Sequence, residues 1–394
     1  MKIHFEKKHV VLSILMIWFL CVPFLEMIFK PFEVTTLNGY VEPLPKMPAL
    51  NIISYFNKDL QNWTEKYLYE NFGFRAEIIK TFNQISFSLF KEVHNKFLQI
   101  YMTPEKGLYS NLSINQLNAD VQYYESQRER FIEEAQKLQK VQDILSKMGK
   151  YFLVIESTSK AYMYPDDIAD KYLILNPSLL DKKQAKFGNF FHGNFIDAKD
   201  ELLLLNKKGI ITHPYSGLHW NLTAGCKTME KAFQKAHQAF YELPEIRCNK
   251  FTDFIPPLND VDFDGLSLLN LWKNESLIKN SNHPQEVKLI QYSEKKPKIV
   301  IIGDSFSNQL IYSINFSHAY SSLIFSSYFQ TREIYNHLNE HFDYSNSDSM
   351  KNQEEIFKDI MGADIIILEA VDYNLSSRLS YGFSDYFLNK IKAN

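Results

Sequence analysis

A serine hydroxyl becomes an effective nucleophile only when a base takes its proton during attack, and histidine has the pKa for that task. Two stretches of the chain hold this pair in suitable settings. Ser305 lies in KIVIIGDSFSNQL, residues 298–310, where Ile299, Val300, Ile301 and Ile302 run without spacing into Gly303, Asp304 and Ser305 and then into a segment that can be helical. That pattern is a buried strand ending in a tight turn. In a parallel sheet such a turn lies at the carboxyl end of a central strand, where ligands bind. His219 stands out among 11 histidines: in THPYSGLHWNLTAG it follows the turn formers Pro214, Ser216 and Gly217 and precedes Trp220, Asn221 and a predicted helix. It therefore sits on a loop at a helix entrance. Asp304, beside Ser305, reads as a brace of the turn rather than as the acid of a triad.

The surrounding elements have the grammar of an α/β fold. Residues 113–147 read as one long amphipathic helix closing near Gly149, which feeds YFLVIES, a buried strand, and then the loop TSKAYMYP with Lys160, Tyr164 and Pro165. The alternation recurs with Leu202 to Leu205 opening toward the loop at His213, a helix over 227–242, the GDSFS strand, and the buried strand ADIIILEA over 363–370. Upstream, residues 52–90 suggest two amphipathic helices joined at NFGFR, residues 71–75, and residues 93–109 read as extended. Residues 31–50, with Pro43, Pro45 and Pro48, read as a linker. The plan is then a tail over 1–8, a membrane anchor over 9–30, a linker over 31–50, a helical appendage over 51–112 and an α/β domain over 113–394.

Lys2, Lys7 and Lys8 precede the apolar stretch from Val10 to Phe29, which as a helix rises about 1.5 Å per residue and so spans a hydrocarbon core of roughly 30 Å. No small-x-small site follows it, and Leu20 before Cys21 lacks the small residue that precedes a lipid-modified cysteine; the reading is an uncleaved signal anchor. Positive charge before the span keeps the tail in the cytoplasm and places the rest outside it. Cys226 and Cys248 are left as a pair in the exported part. They form either a disulfide, worth about 3 kcal/mol by loop entropy, or two buried thiols. The 394 residues with 45% apolar content can bury a large core, and a net charge of -3 gives no reason to invoke nucleic acid. The 15% aromatic content suits stacking on sugars and suits an ordinary core equally. No metal-ligand spacing and no phosphate loop occurs, so no cofactor is expected.

GDSF after a branched strand, with a Gly-x-His-Trp-Asn loop upstream, resembles the alginate O-acetyltransferase AlgX/AlgJ family, whose domains are SGNH hydrolase-like. Residues 71–75, 157–165, 262–271 and 363–375 add to the likeness, and the order of His before Ser is that of the family. The resemblance implies an α/β/α sandwich with a parallel central sheet and acetyl transfer to an extracytoplasmic polysaccharide from the inner membrane. Ser305 would be the nucleophile and His219 the base. Backbone N–H groups at Ser305 and the following helix start would hold the oxyanion, contacts whose loss costs on the order of a hundredfold to a thousandfold. A multi-pass membrane acyltransferase would supply acetyl groups. Lys160 and Tyr164 match the family's loop and could line a sugar cleft; Tyr328 is a candidate hydroxyl donor or a core residue, and His213 a flank of the pocket. One departure is Gly217, where the family has an Asp two residues before the His. Gly cannot orient an imidazole, and crippling such an Asp in a serine protease lowers turnover roughly ten-thousandfold. Asp253, Asp262 and Asp264 are the possible substitutes, though an acid in such a loop more often serves as a cap or surface charge. A Ser-His dyad, an acetylesterase and a non-catalytic polysaccharide-binding scaffold are the other readings.

Overall fold

The computed structural model describes residues 7–39, 44–91, 100–122, 124–168, 187–255, 261–291, 294–335, 341–372, 374 and 379–393. The chain divides into two units, residues 1–95 with 267–274, and residues 96–266 with 275–394.

In the first unit, Val10–Phe29 forms the apolar part of the helix Lys7–Phe29; its 20 residues, with mean hydropathy 2.3, are long and apolar enough to cross a membrane. A short helix, Ile52–Phe56, starts at Asn51, whose side chain accepts from Ser54 N–H. Asp59–Asn71 and Arg75–Phe90 follow, and they turn at the NFGFR segment as the periodicity predicts. The described parts of residues 31–50 hold neither helix nor strand. They are pinned within the unit: Thr35 N–H donates to Glu77 at 2.6 Å, and Trp63 Nε1 donates to Pro45 O at 2.9 Å.

The second unit is built on a sheet. Its strands in chain order are β1 (Ile100–Thr103), β2 (Gly107–Ser110), β3 (Tyr151–Ser157), β4 (Phe195–Asp197), β5 (Glu245–Phe254), β6 (Ser281–Ile290), β7 (Lys298–Gly303), β8 (Ser322–Ser327), β9 (Glu333–Tyr335), β10 (His341–Asp343) and β11 (Ile365–Val371). Seven of them form one sheet in the order β10-β9-β8-β7-β11-β3-β4. β8, β7, β11, β3 and β4 are mutually parallel, and β9 and β10 extend the edge antiparallel. β1 pairs with β2, and β5 with β6, as separate two-stranded ribbons.

Both faces of the central strands are covered, which is why they read as unbroken apolar runs rather than alternating ones. Leu153, Ile155, Ile299, Ile301, Ile365 and Ile367 face one core with Leu202, Met229, Phe233 and Leu310; Phe152, Val154, Val300, Ile302, Ile366 and Leu368 face the other with Leu138, Ile356 and Phe387. The helices Lys199–Lys207, Leu222–Ala239 and Ser307–Ser317 thus cover one face, and Tyr124–Lys147, Ser349–Gly362 and Phe383–Ala393 the other. The result is the expected α/β/α sandwich. The chain leaves β7 toward β8 and leaves β3 toward β4, in opposite directions, which sets a topological switch point at their carboxyl ends.

Residues 113–147 are helical over the described residues, Asn111–Gln122 and Tyr124–Lys147. One local expectation is revised. Leu202 to Leu205 lies inside the helix Lys199–Lys207: Leu202 and Leu205 point into the core while Leu204 is exposed, a helical and not a strand period. The extended reading over 93–109 resolves into β1 and β2, with its first part outside the described residues. Cys226 and Cys248 are joined as a disulfide, with Cα atoms 6.0 Å apart, tying the helix Leu222–Ala239 to β5.

Candidate active site

β7 ends at Gly303, and the chain turns through Asp304, Ser305 and Phe306 into the helix Ser307–Ser317. Asp304 holds this turn: Oδ1 accepts from Phe306 N–H at 2.9 Å, while Oδ2 accepts from Val371 N–H at 3.0 Å, Asn374 Nδ2 at 2.7 Å and the Tyr381 hydroxyl at 2.9 Å. The brace expected of Asp304 is what the geometry gives, and all of its carboxylate is engaged away from His219.

His219 arrives on the loop between the helix Lys199–Lys207 and the helix Leu222–Ala239. Asn221 caps the second helix by accepting from Ala224 N–H at 3.0 Å, and its Nδ2 donates to Ile211 O and Asn282 O at 2.7 and 3.0 Å. Trp220, fully buried, donates from Nε1 to Phe306 O at 2.9 Å, which locks the histidine loop to the serine turn. His219 Nε2 then lies 2.7 Å from Ser305 Oγ, and its ring packs on Phe306 with centroids 4.7 Å apart.

The carboxylate missing at Gly217 comes from Asp264. Its Oδ2 pairs with His219 Nδ1, and its Oδ1 accepts from Leu218 N–H at 2.7 Å and Gly265 N–H at 2.6 Å. A Cβ built on Gly217 would lie 3.1 Å from the Asp262 carbonyl oxygen and 3.4 Å from Asp264 Oδ1, so a side chain at 217 would project beside the Asp264 carboxylate. Of the other two candidates, Asp262 accepts from His283 Nε2 at 3.0 Å and Asp253 from Asn282 Nδ2 at 2.8 Å. Burial lowers the His219 pKa; the charge and hydrogen bond of Asp264, with the charge of Asp304 behind, outweigh it and leave the imidazole above its ordinary value.

Several further residues take structural places. Lys160, which the sequence suggested for a sugar cleft, is buried: its Nζ donates to Pro214 O, to Gly217 O at 2.6 Å and to Tyr215 O at 3.3 Å. It holds the histidine loop instead. Burial pushes its pKa down to about 7 against the pull of Asp264, Asp167 and Asp262. His213 is also buried, with Nε2 2.9 Å from Thr158 O, and burial lowers its pKa to about 3. Tyr164, Tyr215, Lys106, Lys279 and His213 are among the residues that line a cleft of about 430 Å³. Tyr328 packs edge-on to Tyr381, with centroids 5.4 Å apart, and its N–H donates to Gly303 O at 2.8 Å.

The turn amides are more committed than the sequence suggested. Phe306 N–H goes to Asp304 Oδ1 and Ser307 N–H to Asp304 O at 3.1 Å, so the helix start does not supply oxyanion donors. Ser305 N–H is the amide of the turn that faces no such partner among the described hydrogen bonds. A residue missed at the sequence level lies beneath it. Glu369, fully buried in β11, accepts at Oε2 from Asp304 N–H at 3.1 Å and from the Ser307 hydroxyl at 2.6 Å. Burial and the nearby Asp304 charge raise its pKa well above the ordinary carboxylate value. Its one visible signal was an acidic residue in the middle of an otherwise apolar strand. Among the described residues, no cluster of three or more His, Cys, Asp or Glu side chains is placed to hold a metal ion.

No protein-family model and no curated protein matches the sequence. Among solved structures, the O-acetyltransferase domain of Pseudomonas putida AlgJ aligns over 73% of this chain and 99% of its own at 12% identity and TM-score 0.41. Bacillus cereus PatB1 aligns over 72% of this chain and 99% of its own at 10% identity and TM-score 0.38. Pseudomonas aeruginosa AlgX aligns over 74% of this chain and 68% of its own at 11% identity and TM-score 0.31.

Proposed function

We propose that the chain is a membrane-anchored O-acetyltransferase that passes acetyl groups to an exported polysaccharide through an acetyl ester on Ser305. The observation that carries this reading is the continuous hydrogen-bond chain from Asp264 through His219 to Ser305 at the carboxyl end of the sheet. With Nδ1–H held by the Asp264 carboxylate, Nε2 is the unprotonated nitrogen and faces the serine hydroxyl. Ser305 Oγ attacks the acetyl carbonyl while its proton passes to Nε2, and the Ser305 N–H, without a partner among the described hydrogen bonds, is the proposed donor to the developing oxyanion. Collapse breaks the bond to the donor oxygen, which leaves with the proton from His219. An acceptor hydroxyl then gives its proton to Nε2 and attacks the acetyl-serine, and collapse breaks the bond to Ser305 Oγ, which takes that proton back from His219. Atoms balance at each half: one ester is broken and one is made.

The polysaccharide acceptor and the multi-pass membrane acyltransferase as donor rest on the motif resemblance. The anchoring rests on the apolar helix Val10–Phe29, with the α/β unit outside the cytoplasm. The Asp264 contact to His219 favours a catalytic reading over the non-catalytic scaffold that Gly217 suggests. Ser305→Ala tests the proposal. It should abolish both labelling by a sulfonyl fluoride and burst release from 4-nitrophenyl acetate, and cells carrying it should make unacetylated polymer. Unchanged polymer acetylation in those cells would sink the proposal. Adding oligosaccharide to the wild-type reaction separates transfer from hydrolysis: a transferase converts acetate release into acetylated sugar.

A further inference from the structure

The first unit carries an apolar surface that the chemistry of Ser305 does not use. The helix Arg75–Phe90 is amphipathic in an inverted sense. Its inward face holds Asn83, whose Nδ2 donates to Leu269 O at 2.8 Å, and Phe87, whereas its outward face holds Ile78, Phe82, Ile85 and Leu89. Phe82 is 59% and Leu89 68% exposed, and Phe90 beyond them is 70% exposed. The helix Ile52–Phe56 adds Ile52, Ile53 and Phe56, each exposed by 66% or more. In water such a face is unfavourable at roughly 25 cal/mol per Å² of apolar surface, and it is larger than the scattered exposed hydrophobics of an ordinary surface.

What covers this face follows from what its helix hairpin touches. At the turn between Asp59–Asn71 and Arg75–Phe90, Gly73 lies so close to the apolar helix that a Cβ there would fall 2.1 Å from Pro23 O and 2.6 Å from Glu26 Cβ. Phe72 packs edge-on against Phe24 with centroids 5.8 Å apart, and Phe74 packs on Phe32 at 5.7 Å. Glu26, the acidic residue in the apolar stretch, is 4% exposed under this turn. Pro23 stands six positions before Phe29, the end of the stretch, which along a helix is about 9 Å. A hairpin fastened there is held below the end of a membrane span, at the depth of roughly 5–10 Å where interfacial helices bury their apolar faces.

The side chains around the hairpin fit that depth. Tyr55, Tyr69 and Trp272 are exposed, as aromatics of an interfacial belt are. Lys80 Nζ lies 5.2 Å from the Trp272 ring and Lys91 Nζ 5.0 Å from the Phe87 ring, cation–π contacts that set basic side chains beside the apolar face.

We infer that the helices Ile52–Phe56 and Arg75–Phe90 are embedded in the outer interface of the bilayer that Val10–Phe29 crosses, with Ile78, Phe82, Ile85 and Leu89 against acyl chains. The inference rests on the membrane-anchor reading. It makes the first unit a lipid-seated base rather than a flexible stalk on a single helix.

The test uses the full chain with Cys21→Ser, reconstituted in phosphatidylethanolamine/phosphatidylglycerol vesicles. Nitroxides are attached at Phe82→Cys, Ile85→Cys or Leu89→Cys, at Ile14→Cys in the span, and at Lys358→Cys as an aqueous reference. The expected result is an oxygen-to-nickel-chelate collision ratio severalfold higher at 82, 85 and 89 than at 358, in the same sense as at 14. Lipid access at 14 with aqueous access at 82, 85 and 89 overturns the inference and leaves the anchor standing. Aqueous access at both overturns the anchor and the inference together. Shielding of 82, 85 and 89 from both reagents also overturns it, because a protein, not lipid, then covers the face.

Discussion

Asp264 sets two things with one carboxylate: Oδ2 holds the His219 ring by Nδ1, and Oδ1 holds the Leu218 N–H next to it, so ring orientation and loop path are coupled. Asp264→Asn should keep the loop bond and lose the tautomer control, with a fall in turnover of about ten-thousandfold, as for the equivalent change in a serine protease. The pH profile gives a second readout. Because His219 is raised above 6.5, the acidic limb of kcat/KM in the wild type should have its midpoint above that value, and removing the Asp264 charge should move it down. Since a Cβ at 217 would lie 3.4 Å from Asp264 Oδ1, Gly217→Asp alone should lower turnover by setting two carboxylates near one imidazole, yet restore part of the activity lost in Asp264→Ala. No recovery in the double variant would show that the two positions are not interchangeable. Glu369 yields a different pH signature. Its folded pKa is raised above the ordinary 4.5, so the stability linked to it is full below 4.5 and is lost as pH rises from there toward the folded value. Glu369→Gln, isosteric with the protonated acid, should flatten that decline in denaturant midpoints measured from pH 4.5 upward. Ser305 and His219 were legible because turn formers and a branched strand announce them. Asp264 was legible only as one of three acids, because a partner 45 residues away is chosen by the fold of the β5–β6 connection and not by spacing.

The elements that bring Ser305 and His219 together are two helices packed at a glycine. Gly225, in the first turn of Leu222–Ala239, lies against Ser307–Ser317 so closely that a Cβ would fall 2.5 Å from Gln309 Cβ and 2.7 Å from the Gln309 backbone. Gly225→Ala must therefore move one helix against the other. A displacement near 1 Å between nucleophile and base costs on the order of a hundredfold in rate, so turnover should drop by about that factor while circular dichroism stays that of the folded protein. An unchanged rate would mean that the Trp220–Phe306 bond alone holds the register. The central strands β3, β7 and β11 were plain in the sequence, since their buried stretches, residues 152–155, 299–302 and 365–368, carry no polar residue. The Leu202–Leu205 run was not, because four consecutive leucines fit either period and only the exposure of Leu204 distinguishes them. The role of Lys160 was also hidden: a lysine that donates to three carbonyls of a distant loop is indistinguishable in sequence from a solvated one.

At the scale of the molecule, the division into two units was only partly legible. Residues 267–274 belong with the first unit although they lie in the middle of the sequence of the second, and no composition shift marks them. The export reading makes a firmer statement through the cysteines. The bond from Cys226 to Cys248 closes a loop of 22 residues between a helix and a ribbon strand that are also joined by Glu230 accepting from Cys248 N–H at 2.9 Å. Loop-closure entropy gives such a bond about 3 kcal/mol, carried by the unfolded state. Protein isolated from the membrane and denatured without reductant should show one reactive thiol, Cys21, out of the three cysteines present. Cys226→Ser with Cys248→Ser should lower the denaturant midpoint of the α/β unit by an amount corresponding to those few kcal/mol, while leaving Ser305 labelling intact in the native protein. Three thiols in the unreduced sample would contradict both the bond and an oxidising compartment, because a pair held 6.0 Å apart at Cα has the geometry to oxidise wherever an oxidant is available.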